Sequence, residues 1–173
     1  MEEPSAGAEP AVRWLDDAEM AAWLNLSELI TTLPAALDAH MQRDAGITFY
    51  EYMTMAMLSE QADRTLQLSV LAQATSGSLS RLSHVLTRLE RQGYVERHRS
   101  TENARARNAV LTDAGMAKVV ATAPCHVGRV RSLVFDALSA EDVVELEAVT
   151  ERVLQRIRPP GVTPTYGRGR GIS

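Results

Sequence analysis

The chain has 173 residues, 45% of them hydrophobic and only 5% aromatic, with a formal net charge of −4. That length is enough to bury a real core, and the charge excludes a protein that is basic all over. A single cysteine excludes an internal disulfide, no apolar run approaches the roughly twenty residues of a membrane span, and the acidic start MEEPSAGAEP has no apolar core of a signal peptide. The expected setting is the cytoplasm.

Charge is unevenly spread. Residues 1 to 63 hold twelve acidic side chains against two arginines, whereas 81 to 107 hold seven arginines against three glutamates. A basic patch on an acidic chain bears on polyanion contact more than net charge does, because the field of one face is what a phosphate meets.

In chain order, residues 1 to 13 read as a disordered lead. A long helix is predicted from Trp14 to about Gln42, with Met20, Trp23, Leu24, Ile30, Leu33, Leu37 and Met41 as apolar members and Pro34 as a potential kink. Thr48 and Glu51 form a capping box, stapled by Ile47 and Tyr52, for a second helix reaching about Gln61. A very short helix follows around VLAQA, then the turn Thr75-Ser76-Gly77, then a helix capped by Ser78 and stopped by Gly93.

That last helix has two faces. Leu79, Leu82, Leu86 and Leu89 form a stripe for burial, and Arg81, His84, Arg88 and Arg91 repeat at the same three, four, three spacing on the opposite side, with no carboxylate in the row. Short helix, tight turn, helix is the spacing of a helix-turn-helix. YVERHR and NAVLT then read as two strands of a hairpin with a long tip. A long helix from Thr112 to about Leu138 follows, kinked at Pro124, and a last one opens on the capping box Ser139/Asp142 and carries Val143, Val144, Leu146, Val149, Val153, Leu154 and Ile157. The Pro- and Gly-rich end, 158 to 173, reads as a disordered basic tail.

The fold class expected is mainly α with a two-stranded β-wing: a winged helix-turn-helix over 46–112, flanked by helices at 14–45 and 113–157. Its order, and the stretches LAQATSGSLSRLSHVLTRLERQGYVERHRS and NARARNAVLTDAG, resemble the MarR family of bacterial transcription regulators over roughly residues 14 to 157. In that family the wing carries Asp-x-Arg before a Leu-Thr that opens the next helix, with Gly three residues beyond the Thr. Leu111, Thr112, Gly115 and Arg105 match, and Asn103 stands where the family has Asp. The resemblance implies a homodimer built on the terminal helices, with each recognition helix in a major groove of double-stranded DNA and each wing in the neighbouring minor groove. It also implies a repressor on a pseudo-palindromic promoter site.

Candidate DNA contacts follow. Ser80, Arg81, Ser83 and His84 lie near the amino end of the recognition helix, where base edges are met, and Arg81 is suited to bidentate contact with guanine. Ser78 can serve a phosphate as well as cap the helix. Arg88 and Arg91 lie farther along, toward phosphates. On the wing, Arg105 and Arg107 are placed for a narrow minor groove, Arg97 and Arg99 share a strand face with one expected on a phosphate, and Asn103 flanks them. The alternative for the same face is a winged-helix module that binds an acidic partner protein.

Trp23, Met41, Tyr50 and Met53 are candidate lining for a pocket between dimer helices and reading head, set against plain core packing, which their helical spacing favours. The resemblance supplies the occupant, a small aromatic or phenolic effector. Cys125, beside Pro124 and without an adjacent Lys or Arg, reads as a packed thiol, against the oxidant sensing some family members perform. His40, His84, His98 and His126 are scattered, with no Cys or carboxylate at ligand spacing around them; no metal, no cofactor and no catalytic constellation is expected.

Overall fold

The computed structural model describes residues 12–100 and 106–158. The element order is α1 (Asp17–Ala45), α2 (Phe49–Ser59), β1 (Thr65–Gln67), α3 (Leu68–Ala74), α4 (Leu79–Arg91), β2 (Val95–Arg99), β3 (Arg107–Leu111), α5 (Asp113–Leu133), a 3-10 turn (Phe135–Ala137) and α6 (Ala140–Ile157). Helix α1 starts later than the apolar periodicity suggests. Asp16 accepts from the Glu19 amide at 2.8 Å while the Glu19 carboxylate takes the Asp16 amide, a capping box that leaves Trp14 outside the helix. It runs through Pro34 to Gly46, whose φ of +67° ends it.

The expected capping boxes at Thr48/Glu51 and Ser139/Asp142 are present. Gly93 stops α4 in a left-handed conformation, φ +75°, with the Tyr94 amide on the Leu89 carbonyl and the Gly93 amide on that of Glu90, which is the Schellman arrangement.

The two expected wing strands, β2 and β3, are present, and among the described residues a third, β1, joins their sheet. Strand β3 is central, with β2 on one side in the register Val95↔Leu111 to Arg99↔Arg107, and β1 on the other, Thr65↔Val110 to Gln67↔Asn108. At three residues, β1 carries too little alternation to be seen in a sequence.

One core joins the head. Met41, Ile47, Tyr52, Met55, Leu58, Leu71, Leu82, Leu86, Leu89, Val95, Leu111 and Val119 are buried together, drawn from α1 to α5, β2, β3 and the loop before α2. Leu79 is not among them: it is 57% exposed, because the first turn of α4 projects beyond the edge of the core. The terminal helices differ. Of the 29 residues of α1 only Leu37 and Met41 are buried, and α6 buries none, so Trp23, Leu24, Ile30, Val144, Val153 and Ile157 stand in solvent.

Candidate nucleic-acid interface

Helix α4 is fixed by its apolar stripe. Leu82, Leu86 and Leu89 are fully buried, which turns Ser80, Arg81, Ser83, His84 and Arg91 outward. Ser78 caps the helix, its hydroxyl oxygen accepting from the Arg81 amide at 3.2 Å. The hydroxyl hydrogen remains free to donate, so the capping and phosphate roles are compatible.

The turn before α4 is built around Tyr50. Thr75 donates to the Leu71 carbonyl at 2.9 Å, so the Tyr50 hydroxyl, 2.8 Å away, is the donor to the Thr75 oxygen. A Cβ on Gly77 would come within 2.0 Å of that hydroxyl, while the left-handed backbone of the turn belongs to Ser76, φ +50°. Glycine is needed here for space and not for conformation. The Tyr50 ring in turn carries the Arg81 guanidinium, whose carbon lies 4.3 Å from the ring centroid, within cation–π range.

Two of the expected DNA contacts are engaged elsewhere. The row on α4 is not free of carboxylates, because Glu51 reaches it from α2: its Oε1 is 3.0 Å from Arg88 Nε. That carboxylate is 1% exposed and also accepts from the Thr48 amide at 2.7 Å and hydroxyl at 3.0 Å. Arg88 is therefore the counter-ion of a buried acid. Arg97 turns from the wing onto α4, where it pairs with Glu90 and donates to the Thr87 hydroxyl at 3.1 Å. The hydrogen bond from Arg97 holds the Glu90 carboxyl below its usual range. Arg97 fastens wing to recognition helix and is largely covered. Neither partner was visible from spacing, since each pair joins different elements.

The outer wing keeps its charge. Arg99 and Arg107 are exposed and directly opposite one another across β2 and β3, a like-charge pair that an anion between them would relieve. The tip, with Asn103 and Arg105, lies outside the described residues, as do residues 1–11 and the tail from 159.

The four residues expected to line an effector pocket do not converge. Met41 is fully buried in the head and Met53 packs against the same core. Tyr50 supports the turn. Trp23 is 54% exposed, and the eighteen residue steps of α1 from it to Met41 span about 27 Å.

The histidines are less scattered than their sequence positions suggest. His126 stacks near Tyr52 and Phe49, ring centroids 4.8 and 5.8 Å away, and burial pushes its pKa down. His40 is four residues from Asp44 on one face of α1, and α5 brings Cys125 to both. The i,i+4 spacing of His40 and Asp44 was present in the sequence; the thiol that completes the group comes from 81 residues away.

Buried leucine stripe, glycine turn, outward cationic face and three-stranded wing together define a winged helix-turn-helix protein. No protein-family model matches the chain. It is similar to Sco3205, a MarR family transcriptional regulator from Streptomyces coelicolor solved in complex with DNA: 36% identity, 87% of this chain and 95% of that one covered, TM-score 0.81. AbsC, a MarR family transcriptional regulator from the same organism, is 35% identical over 85% of this chain and 99% of that one, TM-score 0.77. The transcriptional repressor MprA of Escherichia coli (strain K12) is 26% identical over 117 residues, which are 68% of this chain and 66% of MprA, just under two thirds. The protein belongs to the MarR family of transcriptional regulators and is not an enzyme. No helix among the described residues is long and apolar enough to cross a membrane.

Proposed function

We propose that the protein is a homodimeric, sequence-specific DNA-binding regulator that represses by occupying a pseudo-palindromic promoter site. The observation that carries this reading is the outward face of α4, where Arg81 is held over Tyr50 at 4.3 Å while Leu82, Leu86 and Leu89 are fully buried on the other side of the helix. A pre-oriented guanidinium at the amino end of such a helix suits bidentate contact with guanine in the major groove. Arg99 and Arg107 extend the cationic surface along the wing toward the neighbouring groove and backbone. The DNA complex of Sco3205 supports the partner, and the repressor MprA supports the sense of regulation.

The exposed apolar faces of α1 and α6 support the dimer. No element among the described residues covers Trp23, Leu24, Ile30, Val149, Val153 and Ile157, and a second copy covers them by twofold symmetry. Two heads related by that axis call for half-sites about one helical turn apart. The site of action is then the cytoplasm.

Selection of bound fragments from random duplex tests the reading. The expected product is a palindromic motif, lost or relaxed at one base pair per half-site in Arg81→Ala, at a cost of about 1–3 kcal/mol. Recovery of no motif, with no salt-dependent affinity for duplex, would favour an acidic protein partner for the same face.

A further inference from the structure

We propose that His40, Asp44 and Cys125 form a binding site for a zinc-class divalent transition-metal ion. His40 Nε2 is 3.3 Å from Cys125 Sγ, Cys125 Sγ is 3.9 Å from Asp44 Oδ2, and His40 Nδ1 is 3.2 Å from the same carboxylate oxygen. One ligand atom from each residue lies within 4.8 Å of the others. Around a tetrahedral ion with metal–nitrogen, –oxygen and –sulfur bonds of about 2.0–2.3 Å, donors sit roughly 3.3–3.7 Å apart. A single ion takes one nitrogen of the His40 ring: with Nε2 as donor its 3.3 Å spacing to Sγ already matches, the Nδ1 contact to Asp44 does not count toward the same ion, and the partly exposed Asp44 carboxylate has to turn inward from within 4.8 Å to complete the set.

The donor set selects the ion. A thiolate disfavours magnesium and calcium, which take oxygen ligands, whereas one sulfur, one imidazole nitrogen and one carboxylate oxygen suit zinc. Three protein ligands leave a fourth position, and His40, Asp44 and Cys125 all reach solvent, so water can complete the shell. Binding forms the sulfur–metal bond and releases the thiol proton to solvent.

The position matters because the ligands come from two elements. His40 and Asp44 are in the last turns of α1, and Cys125 is in α5. A further polar tie from α5 to this end of α1 is Lys118 Nζ, donating to the Ala45 carbonyl at 2.6 Å. Just beyond, the chain turns at Gly46 into α2, whose first turn holds Arg81 through Tyr50 and Arg88 through Glu51. A bound ion therefore pins α1 to α5 beside the segment that sets the recognition helix. That regulatory consequence rests on the DNA-binding reading; the ion site does not.

Cobalt(II) titrated into chelator-stripped full-length protein is the test, because Cys125 is the only thiol and a thiolate-to-cobalt charge-transfer band can come from nowhere else. The expected result is such a band, saturating at a single ion per chain, abolished by zinc and absent in Cys125→Ser. His40→Gln and Asp44→Asn, each with a wild-type circular dichroism spectrum, are expected to weaken binding roughly tenfold or more. Absence of the band in the wild-type chain, or unchanged affinity in both His40→Gln and Asp44→Asn, overturns the site. Duplex affinity is then measured in zinc and in chelator. A zinc-dependent change lost in Cys125→Ser supports the regulatory consequence, and equal affinities with the band present overturn it while the site stands. Failure to bind duplex in either condition would count against the DNA-binding reading alone.

Discussion

The guanidinium carbon of Arg81 lies 4.3 Å from the centroid of the Tyr50 ring, and the hydroxyl of that ring is tied to Thr75 at 2.8 Å. The side chain best placed to read a base is therefore oriented by α2 through the turn of the helix-turn-helix. Tyr50→Leu is expected to weaken specific duplex binding by about 0.5–1 kcal/mol, since the arginine must then be ordered by the DNA itself. Tyr50→Phe keeps the ring and should fall between. Fluorescence anisotropy on a selected site checks both; wild-type affinity in Tyr50→Leu would mean the ring does not orient the arginine.

Arg88 and Glu51 make a contrasting pair. Arg88→Ala leaves a carboxylate that is 1% exposed with Thr48 as its remaining partner among the described residues, and should cost about 1–3 kcal/mol of folding stability. Urea denaturation reads that loss. The slope of duplex affinity against salt should stay at its wild-type value, because Arg88 is committed to the acid. A slope reduced by about one, with unaltered stability, would return Arg88 to the phosphates.

Gly115 is bounded by main chain. A Cβ there would lie 2.2 Å from the Tyr94 carbonyl oxygen and 2.6 Å from Leu111 Cδ1. The carbonyl is itself fixed, accepting from the Thr112 amide at 3.1 Å, so it cannot yield as a side chain would. Gly115→Ala should destabilise by about 1–3 kcal/mol, visible as a lowered melting temperature, and Gly115→Val by more. A melting temperature equal to wild type would show that α5 can shift away from the wing.

His126 gives a pH dependence of defined sign. Burial against Tyr52 and Phe49 lowers its folded pKa below the ordinary imidazole value of 6.5, and its Nδ1 has no hydrogen-bond partner among the described residues. Below that value the unfolded chain binds a proton that the folded chain resists, so stability falls as pH drops from about 6.5 toward the folded pKa. Above it both states are neutral and the dependence vanishes. His126→Phe should remove this component from melting curves between about pH 5 and 7; an identical pH profile in the variant would assign the dependence to other groups.

Much of the head was legible in the chain because its signals are local. The Thr48/Glu51 and Ser139/Asp142 capping boxes span three residues, the Ser78 cap and Gly93 stop bracket a single helix, and the leucine repeat of α4 declares its buried side. Leu79 departs from that repeat because periodicity gives a direction on the cylinder and not the distance to the core's edge. Strand β1 was missed because three residues hold no period; it exists by pairing with β3, which comes more than forty residues later.

What the amino-acid order alone determined is therefore the succession of helices, the turn, the wing, and which side of α4 faces outward, since each depends on residues within one or two turns of one another. Tertiary structure alone decided which outward cations are free. Arg88 and Arg97 met carboxylates supplied by α2 and α4, Arg81 met a ring, and Cys125 met a histidine and an aspartate from the far end of α1. The reason is physical: a charge is spent on whatever partner folding brings within a few ångströms, and the distance along the chain carries no record of that meeting.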